Sequence, residues 1–505
     1  MRRRNTLPRP PRLQTIAASL GVPLLAVPLF ACSAAGPVPE AKPARPARTV
    51  EVVAVTEPPP VVTATASAEP PPPPPPPPPD HIVDVVARDV RGCAIYDNGM
   101  LQCWGGFNSH GELGLGHKGQ AKTPGWVKGL RGVKKVALAR DRTCAVVATG
   151  ELYCWGINDF AETDARDEIA APLRVPDLAA VVDVAVSDRH GCAVLAAGTV
   201  ACWGDNHNGQ VGVGKNEVGR KITKPTQVPG VNDVAGIVAS GTVTLAWTKG
   251  GDLYRWGDAS DLKMDYAYPE ATKIPVLSGV KRVAMEENQA CALLGAGDVR
   301  CFSRETFKDF LAGKQHDFGP DLVKLARAFT KRFIPMPKNL VFPDGRGLTG
   351  VTDLAVFNHD ASAVTEKGEV FSWGSAERGT AGKPERTKGF FPPARIAGVT
   401  EAVAITGSYT HRCELEKTGE VRCFGSGSNG QLGSDQPRSS TSAVVVKGLP
   451  KIAKIAANDH CTFALGEDHT LWTWGEAWVN ACGIDDDQKS ALPGPVLVPV
   501  DKTVP

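Results

Sequence analysis

Eight segments of this chain repeat one template, and only a fold built from equivalent units accommodates that. CAIYDNGMLQCWG from Cys93 is followed by CAVVATGELYCWG from Cys144, CAVLAAGTVACWG from Cys192, CALLGAGDVRCFS from Cys291 and CELEKTGEVRCFG from Cys413. LAWTKGGDLYRWG from Leu245, SAVTEKGEVFSWG from Ser362 and FALGEDHTLWTWG from Phe463 keep the frame without its cysteines. The pitch is about fifty residues, in the range of propeller blades rather than helical solenoids.

Within each copy, apolar, β-branched and aromatic residues alternate around a turn, so the unit is a β-hairpin. Pairing Cys93 with Cys103 leaves a loop of Asp97, Asn98 and Gly99, with glycine where a type I turn plus bulge needs positive φ. Gly150, Gly198, Gly251, Gly297, Gly368 and Gly419 fill the same place; His469 departs and is expected to carry strain. A strand precedes each hairpin (VDVVA, KKVALA, VDVAV) and a proline-containing edge follows (GWVKGL, PTQVPGV, PPARIAGV). The expected fold is all-β: a propeller of seven or eight four-stranded antiparallel blades over residues 81–505, with one partly helical insertion at 303–350. Each Trp-Gly pair is expected to place a ring between blades while glycine allows close approach.

CAVLAAGTVACWGDNHNGQVGVG from Cys192, with CWGGFNSHGELGLG and CFGSGSNGQLGS, resembles the repeat of the regulator of chromosome condensation family. That resemblance covers almost all of residues 81 to 500 and implies a β-propeller, usually of seven blades, with exchange-factor activity on a small GTPase as the family's founding function. Eight copies depart from seven, so either the ring has eight blades or one copy lies outside it.

Cysteines directly opposite in a hairpin lie within disulfide reach. Five copies have both cysteines, three have neither and none has one, which predicts Cys93–Cys103, Cys144–Cys154, Cys192–Cys202, Cys291–Cys301 and Cys413–Cys423. Cys461 and Cys482 remain as a sixth bridge, and Cys32 is left over. Disulfides of this kind persist in oxidising compartments. Zinc would need Cys-x-x-Cys or mixed Cys/His spacing, which does not occur, so no metal or cofactor is expected.

The N-terminus fits export. MRRRNTLPRPPR is basic and leads into the short apolar stretch IAASLGVPLLAVPLF, the plan of a signal peptide over residues 1–31. Leu29-Phe30-Ala31-Cys32 resembles a bacterial lipobox, which implies lipidation of Cys32; a plain secreted protein cut at a nearby small residue is the alternative. Residues 32–80 form a Pro/Ala-rich linker whose run Pro70–Pro79 stiffens into polyproline II and spans roughly 30 Å. The expectation is a lipid-anchored protein of the bacterial envelope, at the outer membrane or cell surface.

The net charge of +2 gives no sign of nucleic-acid binding, and neither a nucleophile elbow nor a phosphate loop is present. No catalytic residues are singled out. Arg91, Arg142, His190, Gln289, His359, His411 and His460 fall just ahead of the hairpins and are candidates for a binding rim near the channel; the competing reading is that they satisfy loop carbonyls. Within PDLVKLARAFTKRF, Phe329 and Phe333 share a helical face beside Lys331 and Arg332, a candidate interface in the insertion. The leading expectation is a monomeric, non-enzymatic module binding another envelope or extracellular protein through large loop residues such as Phe107, Phe160, Phe329 and Trp478. A glycan-binding or hydrolytic propeller using the rim is the alternative, a spacer without any ligand a third, and an exchange factor is disfavoured by export.

Overall fold

The computed structural model describes residues 81–158, 168–257, 268–303 (less 276, 287 and 288), 347–375 (less 358 and 359), 379–434 (less 385, 386, 388 and 389), 439–484 (less 477) and 490–495. Cys32 with the signal and linker, Phe160, His359, and the insertion residues Phe329, Lys331, Arg332 and Phe333 lie outside the described residues.

Eight antiparallel sheets follow one another, each made of consecutive strands. Blade 1 comprises β1 (Ile82–Arg88), β2 (Arg91–Tyr96), β3 (Leu101–Gly105) and β4 (Gly125–Trp126). Blades 2 to 8 span 133–174, 181–227, 234–273, 280–303, 351–395, 402–445 and 452–495. Blade 5 has three strands among the described residues, and its missing fourth position coincides with the insertion. The ring therefore has eight blades, and every copy of the template belongs to it.

The first strand of each blade lies innermost, packed against the first strands of its two neighbours, and β1 closes the circle on Ile452–Ala457. One register explains the core. Val85, Val136, Val184 and Ile237, through to Ile455, are buried on the first strands, and each faces an alanine of the second, such as Ala94, Ala145, Ala193 or Ala464. An aliphatic side chain opposite an alanine leaves room for the next blade. Blade 7 breaks the rule: Ile405 faces Glu414.

The hairpin expectation holds. Tyr96 N donates to Met100 O at 3.0 Å around a three-residue turn, and Gly99 has φ 75°. A Cβ on Gly99 would lie 2.5 Å from Gly132 Cα, so the turn glycine also lets the hairpin tip press on the chain entering the next blade. At the eighth tip the following blade is blade 1, to which no loop connects, and a side chain fits: His469 takes φ 67°, stacks on His81 and is hydrogen-bonded to Ile82 O at 3.1 Å. The glycine after each tryptophan answers a second crowding, since a Cβ on Gly105 would stand 2.2 Å from Val90 O.

All six expected disulfides are present, with Cα–Cα distances of 3.9–4.1 Å in the hairpins and 5.3 Å for Cys461–Cys482. The seam between blades 8 and 1 is closed by packing: Trp104 meets Phe463 at 5.3 Å between ring centroids, within one cluster with Ile82, Leu465 and Leu471. Lys454 pairs with Asp84 across it.

Candidate functional site

Where the first strand of each blade turns into the second, the eight turns surround one mouth of the central channel. Val86, Val136, Val184, Ile237 and Met285 line the channel below. At the mouth a cavity of about 400 Å³ is bounded by Arg88, Asp89, Arg140 and Glu286 on one side and by Tyr409 and Asp459 on the other. Arg88 and Glu286 hold the same place in blades 1 and 5, which stand opposite each other in a ring of eight, and their ion pair of 3.2 Å crosses the opening. Burial opposes the Arg88 charge, but Glu286 and then Asp89 outweigh it and raise the pKa, so the guanidinium stays charged.

The residues expected to form a rim do not ring this mouth. Arg91, Arg142, His190, Gln289 and His411 open the second strands, and all are buried. Three of them bind a threonine of the next blade: Arg91 Nη1 donates to Thr143 Oγ1 at 3.0 Å, while His190 Nε2 and His411 Nε2 lie 2.6 and 2.7 Å from Thr244 and Thr462 Oγ1. In blade 6 the place belongs to Asp360, not His359, and Asp360 pairs with Arg412 of blade 7. In blade 8 it belongs to Cys461, not His460. His460 sits one residue earlier, in the exposed turn. The shift arises because register, and not distance from the hairpin in sequence, decides which side chain points between blades. Burial drives the pKa of His190 and His411 down to about 3, so both are neutral over the physiological range. The position is a clasp between blades.

The loops joining third and fourth strands lie on the same face. Asn206 holds one together, its Oδ1 accepting from Val211 N at 3.0 Å and its Nδ2 donating to Glu217 O at 2.8 Å. Asn108 does the same in blade 1. The residue before the buried aliphatic one (Leu113, Leu432) offers its carbonyl to the next blade: Trp155 Nε1 donates to Glu112 O and Trp474 Nε1 to Gln431 O, each at 3.0 Å. The repeated Asn-x-x-Gly-Gln-Leu-Gly string is therefore a device for fastening blade to blade. A family model described as "Regulator of chromosome condensation (RCC1) repeat" matches residues 197–247, and another of the same description matches 181–210, on blades 3 and 4. This chain is an RCC1-repeat β-propeller.

The RCC1-repeat propeller is 31% identical over 119 residues to the RCC1 domain-containing protein RUG3, mitochondrial, of Arabidopsis thaliana, a match covering 23% of this chain and 26% of that protein. It is 23% identical over 309 residues to the ultraviolet-B receptor UVR8 of the same plant, covering 59% of this chain and 65% of the relative. Among solved structures, yeast RCC1 (Prp20) bound to Kap60 shares the fold with a TM-score of 0.51 at 19% identity, over 79% of this chain and 84% of that one. Human WBSCR16 does so at 0.51 and 18%, over 73% of this chain and all of that one.

Blade 8 departs from the family loop. Where other loops carry Ser109, His207 or Ser428, this RCC1-repeat propeller has Trp478, and where they carry Gly111, Gly209 or Gly430 it has Asn480. Asn480 keeps the glycine's left-handed backbone at φ 57°, and Val479 before it has φ 48°. Cys482 takes the aliphatic place of Leu113, Val211 and Leu432 and bridges to Cys461. Asn480 Nδ2 donates to Ala121 O of blade 1 at 3.1 Å, and Asn458 Nδ2 donates to Ala481 O at 2.8 Å. So fixed, Trp478 stands 50% exposed and meets Phe107, 53% exposed, at 5.9 Å and 89° between ring planes. Sequence reasoning named both residues; their meeting across the seam followed only from closure of the ring. His460 stacks on Trp478 at 5.0 Å, and its Nδ1 lies 3.1 Å from Glu476 Oε2, which also accepts from Asn429 Nδ2 at 2.8 Å. Among the described residues no group of three or more His, Cys, Asp or Glu side chains is arranged to hold a metal ion.

Proposed function

We propose that this RCC1-repeat propeller is a non-enzymatic scaffold that binds another protein through its mouth face and is held at a bacterial envelope by a lipid on Cys32. The observation that carries the binding reading is the exposed pair Phe107 and Trp478, meeting across the seam, with Trp478 on a loop that departs from its sister loops and is fixed by a disulfide. Large half-exposed aromatics on a rigid support are the usual anchors of protein interfaces. The yeast protein of like fold supports protein partners in general: Prp20 is described bound to Kap60 and with binding properties towards Gsp1p and histones.

Six disulfides, a signal-like N-terminus and the cysteine after Ala31 together favour an exported, anchored protein. Export also sets aside nucleotide exchange on a cytoplasmic GTPase. The glycan-binding alternative loses most of its proposed ligands, because Arg91, Arg142, His190, Gln289 and His411 are buried.

The test uses the full-length chain expressed in its own envelope. Wild type should carry acyl mass on Cys32, fractionate with membranes and crosslink to one saturable protein partner; Cys32→Ser should lose the acyl group, and Phe107→Ala with Trp478→Ala should lose the partner. Absence of a saturable partner in wild type overturns the scaffold reading, and unchanged membrane association of Cys32→Ser overturns the anchor.

A further inference from the structure

The seam between blades 8 and 1 carries more than an apolar patch. Phe107 and Trp478 meet at right angles, which makes them two walls of a corner. The polar groups beside it are acidic: Glu476 lies on His460, and Asp459, the neighbour of His460, has its backbone N on Asp89 O at 2.7 Å, which brings a third carboxylate residue to the same junction. Arg88 pairs with Glu286 across the channel and also feels Asp89 and Asp459, while Arg91 is bonded at the junction of blades 1 and 2. His460, against Trp478, is the basic group in direct contact with the corner, and Glu476 faces its Nδ1.

We propose that this corner is a receptor for an arginine or lysine side chain on a basic segment of the partner protein, which rests on the scaffold reading above and gives it a chemistry. Aromatic faces attract cations through their quadrupoles, and nearby carboxylates add charge. The arrangement disfavours an anionic ligand, because Glu476, Asp459 and Asp89 would repel it. The turn also carries backbone strain: Val479 and Asn480 in succession hold left-handed backbone without being glycine, Val479 with a β-branched side chain. The disulfide Cys461–Cys482 and the bonds from Asn458 and Asn480 keep that turn in place, so Trp478 is presented rather than left mobile.

The test is titration of the oxidised full-length chain with a short peptide carrying three arginines, and with its counterpart in which each arginine is citrulline, the neutral isostere. The arginine peptide should bind at least about tenfold tighter and weaken with added salt. Trp478→Ala and Glu476→Gln should each weaken it by about five- to thirtyfold, with Trp478→Phe between them and wild type. Unchanged thermal melting of Glu476→Gln guards against loss through misfolding. Equal affinity for the two peptides, or a difference that survives Trp478→Ala, overturns the proposal, as does binding of diacetylchitobiose that Trp478→Ala abolishes. A partner crosslinked in envelopes and lost with Trp478→Ala, without arginine preference, would sink the cation receptor while keeping the scaffold. Arginine preference lost with Trp478→Ala, without any envelope partner, would do the reverse.

Discussion

At the scale of single residues, Glu414 is the clearest misfit. It stands where the sister hairpins carry alanine, is fully buried, and its two oxygens find no hydrogen-bond partner. Burial pushes its pKa up to about 8, aided by Glu416 and opposed by Arg422, so the carboxyl is protonated at neutral pH. The folded state then holds a proton that the unfolded chain releases near 4.5, and the stability this group contributes is lost as pH rises from there towards 8. Glu414→Ala should therefore stabilise the protein by about 2–3 kcal/mol at pH 7 and flatten that slope, as read by urea denaturation between pH 5 and 8. The clasp histidines act with opposite sign. Held neutral with pKa values near 3, His190 and His411 let the unfolded state bind more protons, so stability falls as pH drops below about 6.5. Each costs at most about 1.4 kcal/mol per pH unit, and His190→Gln with His411→Gln should show a smaller loss of stability between pH 7 and pH 5 than wild type.

At the scale of the element, the hairpin is a cassette with one exchangeable rung. In blade 6 the rung is Ser362 opposite Ser372, whose hydroxyl oxygens lie 2.8 Å apart. Ser362→Cys with Ser372→Cys should oxidise without assistance and raise stability by about 2–3 kcal/mol, measured as the difference between oxidised and reduced protein in urea. The rung was legible in the sequence because a hairpin makes near neighbours in space from near neighbours in the chain. The tripeptide turn and its glycine were legible for the same reason. Register at the start of the second strand was not: His359 and His460 looked equivalent to Arg91 and His190, yet one residue of slip gives those places to Asp360 and Cys461. Nor does a sequence say whether a polar residue at a strand end faces water or the next blade. Only packing shows that His190 reaches Thr244, and only ring closure brings Phe107 to Trp478.

At the scale of the whole molecule, eight near-identical units are not held by eight identical joints. Seven junctions are crossed by the chain, whereas blades 8 and 1 meet through Trp104 and Phe463, the His81–His469 stack and the Lys454–Asp84 pair. Repetitive proteins open locally at their weakest interface. Native-state hydrogen exchange should accordingly show the backbone amides of Ile82–Arg88 and Ile452–Ala457 exchanging faster than those of Val181–Val186, the equivalent strand far from the seam. Equal protection of all three strands would mean that the seam is as strong as the covalently linked junctions.

Every disulfide ties residues of the same blade. In mechanical language the molecule has stiffened staves and no hoop. Tension between its two ends falls first on the seam, and the staves swing apart about their connecting loops before any sulfur bond is strained. The expected product is a fan of intact blades, whose released edges are those that fit each other when the tension ends.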